Sequence, residues 1–296
     1  MAHASTVVPL RLALAALRRS QPTLPPREAA AVAHAARLRL TPAEARAEAA
    51  VDALRRRLAA SGAAVEVVDH GAGSRGTNAP VRPVAKVYRW AATRPAWGRF
   101  LFGLVRALRP TRVLELGTNL GVGAAHLAGA LALTEAEGGP AGRLVTLEGA
   151  PALAALAADH LGGLGHAVGE DGRVRIVVGP FAETLPEVAA EAGPFDLVFV
   201  DGHHEAEAAL AYLAVVEPHL APGALVVLDD VEPGQPVRRA WRRARSDRPG
   251  TPAFYAGRYG LLFAGAGGAR GAAPAVARET VPSTYEPTPA RPSADA

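Results

Sequence analysis

The chain has no cysteine, one methionine and one lysine, Lys86, in 296 residues. The absence of thiols excludes disulfides and thiolate metal centres and agrees with a reducing cytoplasm. No uninterrupted apolar run approaches the roughly 18–20 residues of a membrane span. A charged fraction of 20 % fits a soluble globular chain, so no membrane partner is expected. Leu10 to Leu17 is apolar, but Arg11 interrupts it, Arg18 and Arg19 flank it, and no small-residue cleavage site follows. A short amphipathic helix is a simpler reading there than a signal peptide. With so little lysine, the net charge of +4 comes almost wholly from arginine, the bias of a GC-rich genome more than of a nucleic-acid surface. The densest basic run is Arg238, Arg239, Arg242, Arg243, Arg245 and Arg248 around Trp241. Such a run is ordinarily a solvated helix face, with RNA or phosphate binding as the alternative, and nucleic acid is not an expected partner.

Glycine, by contrast, is plentiful, and one cluster of it carries chemistry. Arg112-Val113-Leu114-Glu115-Leu116-Gly117-Thr118-Asn119-Leu120-Gly121-Val122-Gly123 reads as a short apolar strand, a glycine turn and the start of an alanine-rich helix. Gly117 and Gly121 permit positive φ and close backbone approach to a ligand, and the helix presents its free N–H groups there. The spacing G-x-x-x-G-x-G is not the G-x-G-x-x-G that seats a dinucleotide pyrophosphate. With Glu115 two residues before the first glycine, a cofactor bearing positive charge fits better than an anionic one. S-adenosylmethionine has that character.

Residues 1 to about 70 read as helices broken at Pro22, Pro25-Pro26 and Pro42, with Thr41-Pro42-Ala43-Glu44 as a helix start. A short strand pattern at Val65 to Val68 then enters the glycine-rich segment Gly71 to Gly76, beside His70. A helix from about Trp97 to Leu108 leads to the cofactor turn. From residue 111 strands and helices alternate, the pattern of a parallel sheet covered on both faces. Strands are expected at 111–116, 143–148, 173–179, 195–200 and 224–229. Helices are expected near 121–133, 151–165, 181–191 and 205–219, with a basic helix at 235–247. Two short strands meet around Gly257 in 253–264, a closing antiparallel hairpin. Residues 267–296 have too few large apolar groups to offset ordering entropy and read as a disordered tail.

Ligands of open parallel sheets lie at the C-terminal strand ends. Glu148 closes the second strand, where a carboxylate can accept from both hydroxyls of a ribose, and Gly149 follows it. Asp201 closes the fourth strand and Asp229-Asp230 the fifth. On neighbouring strands about 4.8 Å apart, Asp201 and one of the later pair could share a ligand or a hard cation such as Mg²⁺. Three acids beside apolar strands cannot all ionise without a compensating charge; alternatively, one of Asp229 and Asp230 caps the turn that follows. His203 and His204, just past Asp201, are candidate general bases. Adjacent side chains diverge, so at most one of them points at a substrate.

The order of these motifs resembles the class I S-adenosylmethionine-dependent methyltransferases over about residues 97–265. The resemblance rests on Val113-Leu114-Glu115-Leu116-Gly117-Thr118-x-x-Gly121, on Glu148, on Phe195-Asp196-Leu197-Val198-Phe199-Val200-Asp201-Gly202-His203-His204, and on Leu220-Ala221-Pro222-Gly223-Ala224 and Asp229-Asp230. Within the class it is most similar to small-molecule O-methyltransferases of the catechol and caffeoyl-CoA type, and to bacterial relatives with a Gly-Ala-Gly-Ser-Arg segment such as Gly71 to Arg75. The resemblance implies an α/β, Rossmann-like, seven-stranded, mostly parallel sheet with an antiparallel last strand. It divides the chain into an N-terminal helical extension (1–96) with a lid segment (71–76), a methyltransferase domain (97–266) and the tail.

The resemblance also implies roles by position. Glu115, Gly117, Thr118, Asn119 and Gly121 hold the methionine part of the cofactor, Glu148 and Gly149 the ribose, and Pro180 and Phe181 the adenine. Asp201 faces the sulfonium or a metal. Metal-dependent members end the fifth strand in Asp-Asn where this chain has Asp229-Asp230, and their catalytic lysine falls on His204. The site is therefore expected to use Asp201, His203, His204 and Asp229 in catalysis, with Asp201, Asp229 and Asp230 as the metal set if Mg²⁺ binds. Ser74 and Arg75 would contact the substrate if the segment is a lid and not a flexible joint. The expected activity is methyl transfer to a small-molecule hydroxyl. The rivals are a non-catalytic cofactor-binding protein and a nicotinamide-dependent oxidoreductase or epimerase; a homodimer remains open.

Overall fold

The computed structural model describes residues 24–37, 39–68 and 79–264. The apolar stretch 10–17, His70, the segment 71–76 with Ser74 and Arg75, and the tail 267–296 lie outside the described residues.

Helices α1 (Pro26–Ala35) and α2 (Pro42–Ala59) come first. The expected start of α2 is a capping box: Thr41 Oγ1 accepts from Glu44 N at 3.3 Å, and Glu44 Oε2 accepts from Thr41 N at 2.9 Å. Strands β1 (Ala64–Glu66) and β2 (Val81–Pro83) pair antiparallel as a small separate ribbon. Helices α3 (Val84–Ala91) and α4 (Pro95–Leu108) follow, and α3 and β2 were not foreseen.

The chain then alternates as expected: β3 (Arg112–Leu116), α5 (Val122–Ala136), β4 (Arg143–Glu148), α6 (Pro151–Gly163), β5 (Val174–Val178), α7 (Phe181–Ala192), β6 (Phe195–Val200), α8 (Ala206–Val216) and β7 (Leu220–Leu228). Helix α9 (Val237–Ser246) and the hairpin β8 (Ala253–Tyr255) and β9 (Gly260–Phe263) complete the described chain. The strand order is β5-β4-β3-β6-β7-β9-β8. The first five strands of that order are parallel, and β9 runs antiparallel to both β7 and β8. β7 begins at Leu220, earlier than expected, because Leu220 pairs with Phe195 across a register shift.

The sheet is apolar on both faces, as a buried parallel sheet must be. Val113, Leu197, Phe199 and Val227 pack with α1, α2, α4 and α5, whereas Leu114, Leu116, Val198 and Val226 pack with α7, α8 and α9. The arginines of α9 lie on its outer face. Arg239 pairs with Glu207, Arg243 with Asp247 and Arg248 with Glu217, so part of the basic run is matched by acids.

Polar groups are also buried on the helical side. His126 Nδ1 lies 2.8 Å from Glu48 Oε1 and its Nε2 lies 3.0 Å from an Arg55 nitrogen. Arginine can only donate, so Nε2 accepts and Nδ1–H donates to Glu48. Burial opposes ionisation of Glu48, but His126, Arg99 and Arg55 outweigh it and hold the carboxyl below its ordinary range. Glu48→Ala is expected to cost about 3–5 kcal/mol of stability, since it strands a buried guanidinium. Arg99→Ala, which removes a part-exposed partner 3.7 Å away, is expected to cost under about 1 kcal/mol. Urea unfolding of both variants tests this, and equal losses would contradict it.

Candidate active site

Five strands deliver their C-terminal ends to one edge of the sheet, and the chain changes direction between β3 and β6. Gly117 follows β3 with φ of 108°, and a Cβ there would collide with the carbonyl of Asp201 at the end of β6. Its N–H and that of Thr118 donate to Leu147 O at 3.0 and 3.1 Å. Asn119 (φ 49°) and Gly121 (φ 80°) complete the turn, and Gly121 is the N-cap of α5. A cavity of about 450 Å³ opens beside it, within the size range of small-molecule sites.

The cavity has two halves. On one side stand the turn, Glu148, Gly149, Pro180 and Phe181. Glu148 Oε2 accepts from Asn119 N at 2.7 Å and its Oε1 from Ala150 N at 2.9 Å, which fixes the carboxylate at the strand end. On the other side stand Asp201, His203, His204 and Asp230. Helix α3 and its neighbours close the wall with Lys86, Trp90 and Thr93, none of them foreseen. Lys86 Nζ sits 4.5 Å from the Trp90 ring centroid, and Thr93 Oγ1 reaches Asp201 Oδ2 at 3.5 Å.

The two histidines diverge. His203, at φ 62°, shares a 2.6 Å hydrogen bond between Nδ1 and the Tyr212 hydroxyl and meets the edge of Phe181. His204 Nδ1 lies 3.1 Å from Asp230 Oδ2. Burial works against a charged His204, but the Asp230 hydrogen bond and charge prevail and raise its pKa. Asp201 is raised well above the usual carboxylate range, by burial first and then by the charge and hydrogen bond of Asp229.

Glu115 does not join the residues that line the cavity. It is fully buried and, lying between Leu114 and Leu116 in β3, points to the opposite sheet face from them. Its Oε2 accepts from Thr146 Oγ1 at 2.6 Å, and Thr146 Oγ1 is 2.6 Å from Thr118 Oγ1. Through these bonds Glu115 supports the turn from below. Its Oε1, buried and unpaired, faces the space that a side chain on Gly123 would fill. Ser74 and Arg75 lie outside the described residues.

Arg258, from the β8–β9 turn, was not foreseen either. Its Nε is 2.5 Å from Asp229 Oδ1, and one terminal nitrogen is 2.6 Å from both Asp229 Oδ2 and Asp230 Oδ1. Asp229 Oδ1 also accepts from Asp230 N at 2.7 Å. Among the described residues no group of three or more His, Asp or Glu is arranged to hold a metal ion. Of the carboxylates proposed for Mg²⁺, Asp229 and Asp230 are taken by nitrogen donors, and the set does not fit a divalent ion as it stands.

Residues 114–231 match a family described as a methyltransferase domain. Over this segment the chain is similar to methyltransferase domains. Over 134 residues the chain is 41 % identical to a catechol O-methyltransferase of Mycobacterium tuberculosis, an alignment covering 45 % of this chain and 54 % of that protein. A catechol O-methyltransferase of Niastella koreensis is 33 % identical over 138 residues, 46 % of this chain and 57 % of that one. The chain spans about half the length of the curated relatives it matches. The O-methyltransferase TomG of Streptomyces achromogenes, solved with S-adenosylmethionine, is 28 % identical, with a TM-score of 0.47 over 59 % of this chain and 82 % of that chain. The matched domain holds Glu115, Gly117, Glu148, Asp201 and Asp230, whereas Arg258 and the α3 wall lie outside it.

The burial of Glu115 has a measurable consequence. Burial pushes its pKa from 4.5 to about 8, with the nearby Glu148 charge adding to the rise against the Thr146 hydrogen bond. The folded state therefore holds this proton more tightly than the unfolded chain, so stability is greatest below pH 4.5 and falls as pH rises toward 8. Glu115→Gln is expected to remove this fall, gaining roughly 3 kcal/mol on the wild type between about pH 5 and pH 8. Denaturant unfolding at the two pH values reads it, and parallel pH profiles would refute it.

Proposed function

We propose that this protein transfers the methyl group of S-adenosylmethionine to a hydroxyl of a small-molecule acceptor. The observation that carries the reading is the single cavity in which the glycine turn and Glu148 face the His204–Asp230 pair across Asp201. S-adenosylmethionine supplies an electrophilic methyl group when bound. The turn fits it by its exposed backbone and by the orphan Glu115 oxygen beneath Gly123. Glu148 takes the ribose hydroxyls, Pro180 and Phe181 the adenine, and Asp201 the positively charged end.

His204 holds the proton of the reaction. Asp230 fixes its Nδ1, leaving Nε2 to accept the proton that the acceptor hydroxyl releases. The shared cavity holds acceptor and cofactor together, which supplies much of the rate. The match to methyltransferase sequences over 114–231 and the identity to two catechol O-methyltransferases support this assignment. A chain without cysteine suits a cytoplasmic setting.

Titration calorimetry with S-adenosylmethionine is expected to show binding that Glu148→Ala weakens about ten- to a hundredfold. No binding by the wild type would end the reading.

On an acceptor found by screening hydroxylated metabolites, His204→Ala is expected to lower turnover roughly 10²–10⁴-fold while cofactor affinity stays the same. Because a base must be unprotonated, the rate should rise with pH through a His204 midpoint above 6.5. Asp230→Asn removes the group that raises it, so this limb should move to lower pH. A limb that does not move would separate His204 from the chemistry.

A further inference from the structure

We propose that Arg258 is the resident counter-cation of the strand-end acids and occupies the place a divalent ion would otherwise take between β6 and β7. Its catalytic consequence rests on the methyl-transfer reading above; its effect on ion binding does not.

The placement is built in. Gly257 turns the hairpin at φ 93° against Trp97. Ala256 N donates to Tyr259 O at 2.8 Å, and Val231 N donates to Arg258 O at 2.9 Å, tying the turn to the chain just after β7. The guanidinium so positioned is only 14 % exposed, and its third nitrogen lies 3.5 Å from Glu232 Oε2. With Asp229 and Asp230 Oδ1 taken by Arg258, the remaining Asp230 Oδ2 faces His204. All four oxygens of the pair thus meet nitrogen donors, and an incoming cation would have to displace a bidentate guanidinium from a sheltered site.

The substitution changes the chemistry available. A divalent ion can ligate an acceptor oxygen and lower the pKa of its hydroxyl. A guanidinium balances charge but has no vacant orbital for that oxygen, so the proton must pass to a base, and His204 is beside it.

The test compares the wild type, Arg258→Gln and Arg258→Lys by Mn²⁺ titration followed by electron paramagnetic resonance. Wild type and Arg258→Lys are expected to bind Mn²⁺ weakly. Arg258→Gln should bind it at least about tenfold more tightly and gain thermal stability on adding it, and Asp229→Asn in that background should abolish the gain. Wild-type activity should be unchanged in EDTA. Tight Mn²⁺ binding by the wild type that is lost in Asp229→Asn would overturn the proposal, as would a folded Arg258→Gln that acquires no Mn²⁺ site. Should Arg258→Gln fail to fold, the wild type against Asp229→Asn decides alone. An enzyme inactive on every acceptor would sink the methyl-transfer reading and leave the Mn²⁺ result standing.

Discussion

The carbonyl of Asp201 stands where a side chain on residue 117 would have to begin. This contact sets the distance between the ends of β3 and β6, the two strands at which the order of the sheet reverses. Only glycine can hold φ of 108° there and also leave room for the neighbouring strand. Because the strands meet so closely, the turn and the acids of the next strand share one cavity. A bulkier residue would push the turn away from the acids at the end of β6 and divide the cavity they share.

Beneath the turn, the polar chain from Glu115 through Thr146 to Thr118 joins β3, β4 and the loop. Further back, Glu48, His126 and Arg55 connect α2 to the helix that starts at the turn. Both networks are buried, and buried polar groups are costly unless paired. They therefore specify the position of α5 more sharply than aliphatic packing would. Since α5 carries the N–H groups of the turn, the N-terminal helices take part in shaping the cavity although they lie outside the matched domain.

Reading the sequence located the strands well because each is a short β-branched or leucine-rich run punctuated by glycine or an acid. The strand-end rule then placed Glu148, Asp201 and Asp230 at the cavity without knowledge of the fold. Glu115 is one position inside the strand, where alternation sends its side chain to the face opposite Leu114 and Leu116, and its pairing with Thr146 of the next strand was not legible in the sequence. Arg258 was hidden for a different reason. Its partners are 28 and 29 residues earlier, and nothing local in Gly257-Arg258-Tyr259 signals a pairing that exists only once β9 inserts beside β7. The arginine-rich bias of the chain masked it further, since one functional arginine looks like any other. The paired histidines could be narrowed to one but not assigned, because the choice depends on Tyr212 from α8 and on Asp230 from another strand.

Among the described residues, three of the four non-glycine residues with positive φ, namely Asn119, His203 and Asp230, belong to the cavity, and the fourth, Arg109, caps α4. Asparagine, histidine and aspartate tolerate this region better than branched residues, yet each still carries some strain. Each is held by a contact made on folding: Asn119 N to Glu148, His203 to Tyr212, and Asp230 N to Asp229. At Asn119 the group that holds the strained backbone is Glu148, a carboxylate that also lines the cavity. Arg258 completes this arrangement by holding Asp229 and Asp230 together, so that the residue orienting His204 is itself fixed from two sides. A site assembled this way is positioned before its reactants arrive, which is the condition for catalysis by orientation.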